Sequence, residues 1–456
     1  MTQNDPMKAA RGAVYVMVFA VTLTLAASSR AQASSAVKPA APVHSAQGSS
    51  APPSALGDTI AARRLRVTLL TFGQGSEVFE RFGHNAIRIA DPMVGLDVAW
   101  NWGMFSFDEP NFLGRFLRGT SQYWMAGFET IPLLAYYQQN DRQTVEQELN
   151  LGGAQKLALY QFVRWNEQEA HKYYHYDYFR DNCSTRVRDA LDQALGGALK
   201  RAWADSLSDH SYRGEALRLT EEARLSRLGI DVALGPLADT RMTAWDEAYV
   251  PMRLRDRMRG VMVPGPGGAP IRLVASERVV YAAARAPEAV APNALPGLYV
   301  ALALGSLAPL AFFGGLAFMS ALRGRWRVAQ RWSRVVIAVV AATWYAVTGL
   351  VGLLVAAMEL FSAHVFWYGN WNVLLLSPIG LGAAWLVPRA LTTGRAASAA
   401  RWLAGFLGAC AAVALGLSMA GATGQSTGAV AIAFAPTMMY LALLVPALTL
   451  IRTDAP

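Results

Sequence analysis

Hydrophobic and polar positions follow two different patterns along the 456-residue chain. In the first two thirds, short runs rich in Val, Ile, Leu, Trp and Phe are broken by Gly, Asp and Pro, a pattern that predicts strands. The predicted strands are 65–73, 82–90, 96–107 and 143–150. Helical spacing is found at 154–172, from 183 onward, at 215–228 and at 243–258, and 261–283 is expected to contain a hairpin. This order predicts an α+β domain.

The last third of the chain has a different pattern, made of long apolar runs. Each run is near the length that an α-helix needs to cross the hydrocarbon core of a bilayer, although the third is short. The runs are 297–321, 335–359, 373–388, 402–420 and 429–451. The region 297–451 is therefore predicted to be an all-α polytopic membrane bundle of about five helices.

The N-terminus has the features of an export signal. Lys8 and Arg11 precede the apolar run 13–27, and Ala31-Gln32-Ala33 gives a small-x-small site. Residues 1–33 are thus expected to be a signal peptide or an N-terminal anchor. We interpret 34–60, rich in Ala, Ser and Pro, as a flexible linker.

These boundaries leave 61–283 as a periplasmic α+β domain, joined to the membrane bundle by a hinge at 284–296. Part of the net charge of +9 comes from loop arginines that indicate the orientation of the membrane helices. Arginines crowd the first and third loops between the apolar runs, whereas the second and fourth loops contain neither Lys nor Arg. The positive-inside rule then places the C-terminus in the cytoplasm of a multi-pass inner-membrane protein. An exported domain would rarely meet nucleic acid, so no nucleic-acid partner is expected.

The chain has only two cysteines, and Cys410 lies in an apolar run. Cys183 therefore has no evident disulfide partner, and it is either an inert packing residue or a reactive thiol. Asp181 and Asn182 are good N-cap residues, which places Cys183 in the first turn of a helix. The positive end of that helix is expected to lower the thiol pKa, and its backbone N–H groups, with Asn182 and Ser184, to bind an oxyanion. Arg180 is a candidate for contact with a phosphate.

A nucleophilic cysteine needs a base, usually histidine. His84 follows Gly83 at the start of a predicted strand, and the next strand offers Asn101 to orient the imidazole. A structural histidine is the competing interpretation for a lone strand position. His171 and His175 are spaced as a possible metal pair, but no second thiol or metal-binding motif accompanies them. No metal and no cofactor are expected.

Four motifs together resemble a known family. These are FGHNAIRI, WNWGMF, YFRDNCSTRVRDAL and MTAWDEAYVPMRLRDRM, followed by the membrane bundle. They resemble the Lnb-type lipoprotein N-acyltransferases, whose periplasmic domain is similar to circularly permuted papain-like (NlpC-type) folds. The resemblance implies Cys183 as the nucleophile and His84 as the base, with Asn101 where such folds often use histidine. It further implies a membrane phospholipid as acyl donor and the N-terminal amine of a lipoprotein as acceptor.

Other interpretations of the sequence stay open. The loop 360–372 carries His364, Asn370 and Asn372 among aromatic residues, which is typical of either an interfacial aromatic belt or a site for a lipid headgroup or acceptor. The same Cys–His pair would also suit a cell-wall cysteine peptidase or amidase. A non-enzymatic membrane sensor or transporter is a third hypothesis, although the apolar runs offer no obvious ion pathway.

Overall fold

The computed structural model of the protein describes residues 62–106, 108, 110–265, 268–322 and 327–450. The predicted signal or anchor (1–33) and the linker (34–60) lie outside these residues. Contacts divide the chain into two compact units. One is an α+β unit that extends to Arg227 and resumes at Thr240–Pro292. The other is a helical unit formed by Leu228–Asp239 and the chain from Asn293 onward.

The α+β unit is built on a seven-stranded antiparallel sheet in the order β11-β5-β1-β2-β3-β4-β6. Two short two-stranded ribbons, β7-β8 and β9-β10, accompany it. The strands are β1 (Arg66–Phe72), β2 (His84–Asp91), β3 (Leu96–Met104), β4 (Gln122–Glu129), β5 (Thr144–Leu149), β6 (Tyr173–His175), β7 (Leu207–Ser211), β8 (Arg241–Thr243), β9 (Met262–Pro264), β10 (Pro270–Arg272) and β11 (Val274–Tyr281).

Helices cover both faces of this sheet. In chain order, the helices between Phe112 and Met258 are α1 (Phe112–Arg118), α2 (Thr130–Gln139), α3 (Gly153–Asn166), α4 (Cys183–Ala194), α5 (Ala198–Trp203), α6 (Tyr212–Leu219), α7 (Arg224–Ala233), α8 (Ala244–Glu247) and α9 (Pro251–Met258). Most of α7 lies in the segment Leu228–Asp239 and so belongs to the helical unit. On one face, side chains of α3, α4 and α9 pack with Ile87, Trp100 and Trp102 into the main core. On the other face, α2 packs through Leu133 and Tyr137.

The predicted α+β class is confirmed, because a mixed sheet and helix domain precedes a helical region. The single helix expected at 243–258 is instead two helices, α8 and α9. Pro251 opens the second, and Val250 before it is extended, as the ring of a following proline favours. The strand β4 and the helices α1 and α2 were not predicted, because their aromatic and polar residues follow neither period closely.

The helical unit contains one helix in each of the five predicted apolar runs. They are α10 (Gly297–Leu322), α11 (Arg327–Phe361), α12 (Gly380–Thr393), α13 (Ala397–Met419) and α14 (Gly428–Leu450). Among the described residues, four of these are long and apolar enough to cross a membrane. The exception is α12, which has 14 residues and is too short to span alone. The five-span topology and the cytoplasmic C-terminus therefore stay predictions that depend on α12.

Candidate active site

Cys183 is the first residue of α4, as its capping sequence predicted. The Asn182 side-chain oxygen accepts hydrogen bonds from the backbone N–H groups of Ser184 and Thr185, at 2.9 and 3.0 Å. The Asn182 amide nitrogen donates to the backbone oxygens of Tyr178 and Tyr249. Every polar atom of this buried side chain is thus used inside the protein, and Asn182 holds the start of the helix in place.

A second clamp joins the start of α4 to the strand that carries His84. The Ser184 hydroxyl lies 2.8 Å from Asn85 Oδ1 and 2.7 Å from the Ala248 carbonyl oxygen. Asn85 in turn donates to the Leu70 carbonyl and to the Thr71 hydroxyl. Ser184 is completely buried by these contacts. It therefore fixes the position of Cys183 against β2 and has no exposed surface for a substrate.

His84 begins β2 and is oriented by a residue of β3. Its Nε2 lies 3.0 Å from Oδ1 of Asn101. Because Asn101 donates its own amide N–H to the Ala99 carbonyl, its oxygen is the atom that faces the ring. His84 Nε2 must then carry the hydrogen, and in a neutral imidazole Nδ1 is left with the free lone pair. Asn101 is buried, so this pairing is shielded from water.

Two glycines shape the chain around these side chains. Gly83 has a φ of 77°, and a Cβ there would lie 2.9 Å from the Phe72 carbonyl oxygen. Gly103 has a φ of 87°, at an irregularity in the pairing of β3 with β4. A Cβ on Gly103 would lie 3.4 Å from Cys183 Cβ and 3.6 Å from the Tyr176 ring. The positive φ favours glycine at both positions, and Gly103 lies next to the residue that carries the thiol.

Burial controls the protonation of the two reactive groups. It raises the pKa of the Cys183 thiol to about 11, although backbone N–H groups of Asn85 and Ser184 and the charge of Arg142 act in the opposite direction. Burial also lowers the pKa of His84 to about 4, assisted by Arg142 and opposed by the Asn101 hydrogen bond. The expectation that the helix end lowers the thiol pKa is therefore wrong for this resting state, since desolvation outweighs the helix dipole. The site holds a neutral thiol and a neutral imidazole.

Arg142 is a residue of the site that sequence reasoning missed. Arg142 is 4% exposed. Its guanidinium donates to the Gly73 carbonyl and to Glu80, and lies over the Tyr137 ring, 4.8 Å from the ring centroid. Within the part of the chain that the structure describes, its Nη2 has no hydrogen-bond partner. A buried positive charge close enough to lower the pKa of both Cys183 and His84 favours negative charge on the sulfur or on an oxyanion. No sequence pattern pointed to Arg142, because it lies about 40 residues from Cys183 in a polar turn.

The motif MTAWDEAYVPMRLRDRM at 242–258 also has a defined place. Its backbone carbonyls at Trp245, Ala248 and Tyr249 accept hydrogen bonds from Arg188, Ser184 and Asn182 respectively. Glu247 is buried, pairs with Arg257 and lies 2.6 Å from His210. This segment therefore binds the start of α4 through its backbone carbonyls.

The remaining predicted site residues lie elsewhere. Arg180 is exposed on the turn before α4. His364, Asn370 and Asn372 belong to the helical unit, where all three are buried. His364 packs on Trp367, at a ring distance of 4.6 Å.

The two asparagines of the helical unit bind backbone. Asn370 donates to the carbonyls of Val232 and Ala233, and Asn372 donates to the carbonyl of Val232. Both amides therefore hold the segment Leu228–Asp239 within its unit, and their role in binding a lipid headgroup or acceptor stays a prediction.

His171 and His175 do not share a helix face. His171 follows the end of α3 and stacks on Trp165, with ring centroids 4.1 Å apart, whereas His175 ends β6. Within the described parts of the chain, no group of three or more His, Cys, Asp or Glu side chains is arranged to hold a metal ion.

Comparison with known protein families gives a match for the first part of the chain. Residues 53–211 match the family model described as the Lnb N-terminal periplasmic domain. This part of the chain is similar to the Lnb N-terminal periplasmic domain. The match includes His84, Asn101 and Cys183, and with the span-length helices it fits a membrane protein of the Lnb family. No curated protein and no solved structure matched the chain.

Proposed function

We propose that this protein is a membrane-bound thiol acyltransferase. It moves an acyl chain from a membrane phospholipid, through a thioester on Cys183, to the N-terminal amine of a lipoprotein. The observation that carries the proposal is the hydrogen bond between His84 Nε2 and Asn101 Oδ1, on strands clamped to the start of α4. That bond leaves His84 Nδ1 free to act as a base, and the backbone N–H of the next residue, Asn85, binds the sulfur of Cys183, which has no disulfide partner.

The neutral resting pair supports a reaction in which the proton moves as the sulfur attacks. His84 Nδ1 takes the thiol proton while the sulfur adds to the ester carbonyl of the phospholipid. The C–O bond of the tetrahedral intermediate then breaks, and the imidazolium returns its proton to the leaving alkoxide. Lysophospholipid departs and the acyl group remains on Cys183 as a thioester.

The second half of the reaction repeats these roles. The amine of the lipoprotein attacks the thioester carbonyl, and His84 removes a proton from the attacking nitrogen. The C–S bond breaks, the thiolate regains its proton from His84, and an amide is released. The reaction is favoured because an amide is more stable than a thioester.

The oxyanion that forms in both halves needs donors that are still free. The N–H groups of Ser184 and Thr185 are capped by Asn182, and the Asn182 amide is fully engaged. We therefore assign the oxyanion to the backbone N–H of Asn85, which faces the sulfur, with the charge of Arg142 in support. This differs from the sequence-based expectation, which gave the role to the helix end and Asn182.

The test is mass spectrometry of lipoprotein N-termini in a host that lacks its own N-acyltransferase. Wild-type protein and the matched control Cys410→Ser should add a third acyl chain, whereas Cys183→Ser should add none. His84→Ala should reduce the rate by about 10²- to 10⁴-fold, the usual contribution of general-base catalysis. Identical spectra from wild type and Cys183→Ser would refute the mechanism.

A lipid assay separates this function from that of a cell-wall peptidase or amidase. Purified full-length protein in phospholipid vesicles should release lysophospholipid in a single turnover when no acceptor amine is present. Further release should require the acceptor amine. Cleavage of cell-wall peptides without lysophospholipid would instead favour the hydrolase hypothesis.

A further inference from the structure

Six aromatic rings form a closed circuit beside Cys183. Adjacent ring centroids lie between 4.1 and 6.2 Å apart all the way round. In order, the rings are those of Tyr176, Tyr123, Phe105, Phe112, Phe116 and Tyr178. We call this set the aromatic circuit.

The aromatic circuit reaches the nucleophile at one edge and solvent at another. Tyr176 and Cys183 flank the same point above Gly103, where a Cβ would be 3.6 Å from the Tyr176 ring and 3.4 Å from Cys183 Cβ. At the outer edge, Phe79 packs edge-on against Phe105 at 5.5 Å and is 47% exposed. A continuous aromatic surface therefore leads from the thiol outward.

These rings differ from those of the protein core. Trp100 and Trp102 in the main core are 1% exposed, whereas five of the six circuit rings are only half-buried, and Tyr123 alone is buried. A large, partly exposed apolar patch on a domain that faces water marks a binding surface. Its position at the edge of the active site indicates that a part of the substrate covers it.

The chemistry of the surface selects the kind of substrate. An acyl chain has no polar atoms beyond its ester, so it can lie on ring faces without leaving a hydrogen bond unmade. A peptide would bring amide groups that need partners. Two arginines, Arg115 and Arg118, follow the rings of Phe112 and Phe116 in the last turn of α1. Their positive charge complements the phosphate of a phospholipid.

We propose that the aromatic circuit binds the acyl chain of the lipid donor and of the thioester, and so makes the enzyme selective for long-chain esters. This rests on the proposed acyl transfer at Cys183. The carbonyl of the acyl group would sit at the sulfur, and the acyl chain would extend over Tyr176 toward Phe112 and Phe116.

The experiment compares two soluble donors that differ only in chain length. Full-length protein in detergent is mixed with p-nitrophenyl acetate or p-nitrophenyl laurate, and the burst of p-nitrophenolate is measured. The acetate burst reports the reactivity of Cys183, and the laurate-to-acetate ratio reports chain binding. Wild type should prefer laurate by at least about tenfold, because each buried methylene group stabilises the complex.

The double variant Phe112→Ser/Phe116→Ser should lower this ratio about tenfold and leave the acetate burst within about twofold. Phe112→Leu/Phe116→Leu, which keeps an apolar surface, should retain most of the ratio. The matched control is Met93→Ser/Val94→Ser, two exposed residues in the turn at the far end of β2 and β3, which should change neither donor.

Equal loss with both donors, or an unchanged ratio, would overturn the proposal. If the double variant does not fold, the single variant Phe112→Ser decides the matter, since this ring is only half-buried. A ratio equal to wild type would then count against the aromatic circuit. The proposed function fails separately. If the wild-type protein prefers laurate but forms no acyl-enzyme from phospholipid vesicles, the proposed acyl-chain surface stands and the proposed phospholipid donor is rejected.

Discussion

The two units of the protein each contain a cluster of buried amide side chains, and the two clusters have different roles. Asn85, Asn101 and Asn182 lie in the α+β unit, and Asn370, Asn372 and Gln425 lie in the helical unit. All six are at most 5% exposed. A buried amide must find hydrogen-bond partners wherever it lies. Burial alone therefore does not distinguish a functional cluster from a structural one.

The partners make the distinction. In the α+β unit, the amides hold the ring of His84 and the first turn of α4, which bears Cys183. In the helical unit, the amides bind backbone carbonyls between Asp231 and Leu234, and Tyr299 donates to the Asp231 carboxylate. The first cluster orients reactive side chains, whereas the second fastens a chain segment within a membrane unit.

The largest effect that separates the clusters is expected at Asn101. Asn101→Ala should lower the acylation rate about 5- to 150-fold, since the loss of one buried hydrogen bond costs about 1–3 kcal/mol and the imidazole loses its fixed tautomer. The rate is measured as the p-nitrophenyl acetate burst. A rate equal to wild type would remove Asn101 from the orienting cluster.

Asn101→Asp sharpens the same point through pH. The pKa of His84 is about 4 in the wild type, so its base form is present at every pH above that value and the acylation rate should fall only below about pH 4. A carboxylate at position 101 stabilises the imidazolium and raises the pKa of His84. The acidic limb of the burst-rate profile should therefore move to higher pH. An unmoved limb would show that position 101 does not face the ring.

A second prediction concerns the protonation of Cys183. Alkylation by iodoacetamide needs the thiolate, and the thiol pKa is about 11. The alkylation rate of Cys183, measured in the Cys410→Ser background, should therefore still rise with pH between 8 and 10. A rate that levels off below pH 8 would instead support a low pKa of the Cys183 thiol, as expected from its position at the helix start alone.

Arg142 should contribute to that rate, because its charge favours the thiolate. Glu80→Gln/Arg142→Gln removes the guanidinium without leaving Glu80 as an unpaired buried charge. We expect alkylation at pH 9 to slow by about tenfold, which corresponds to one pKa unit. Glu80→Gln alone is the control, and it should accelerate alkylation, because it leaves the positive charge of Arg142 unopposed.

The smallest effect on chemistry is expected in the other cluster. Asn370→Leu removes the amide that donates to the carbonyls of Val232 and Ala233, although Val232 keeps its bond from Asn372. The loss should lower the stability of the protein by about 1–3 kcal/mol. Thermal unfolding in detergent measures this loss. The alkylation rate of Cys183 at 25 °C should stay unchanged, and a large drop would show that the second cluster also serves the reaction.

Local chemistry along the chain determined much of this protein. Alternating apolar residues specified β1, β2, β3 and β5, and long apolar runs specified the helices of the second unit. Asn182 capped a helix at Cys183, because the capping preference depends only on the next few residues. The motif resemblance that paired His84 with Cys183 also needed no coordinates.

Contacts between distant parts of the chain decided the rest. Ser184 binds Asn85, 99 positions away, and Gln425 binds the Leu234 carbonyl, 191 positions away. The pKa of Cys183 is raised because the packed fold removes water from the sulfur, and Arg142 acts on it from a turn outside every motif. Propensity is a property of neighbours in sequence, but desolvation and hydrogen-bond partners are properties of neighbours in space, so only the tertiary structure assigns them.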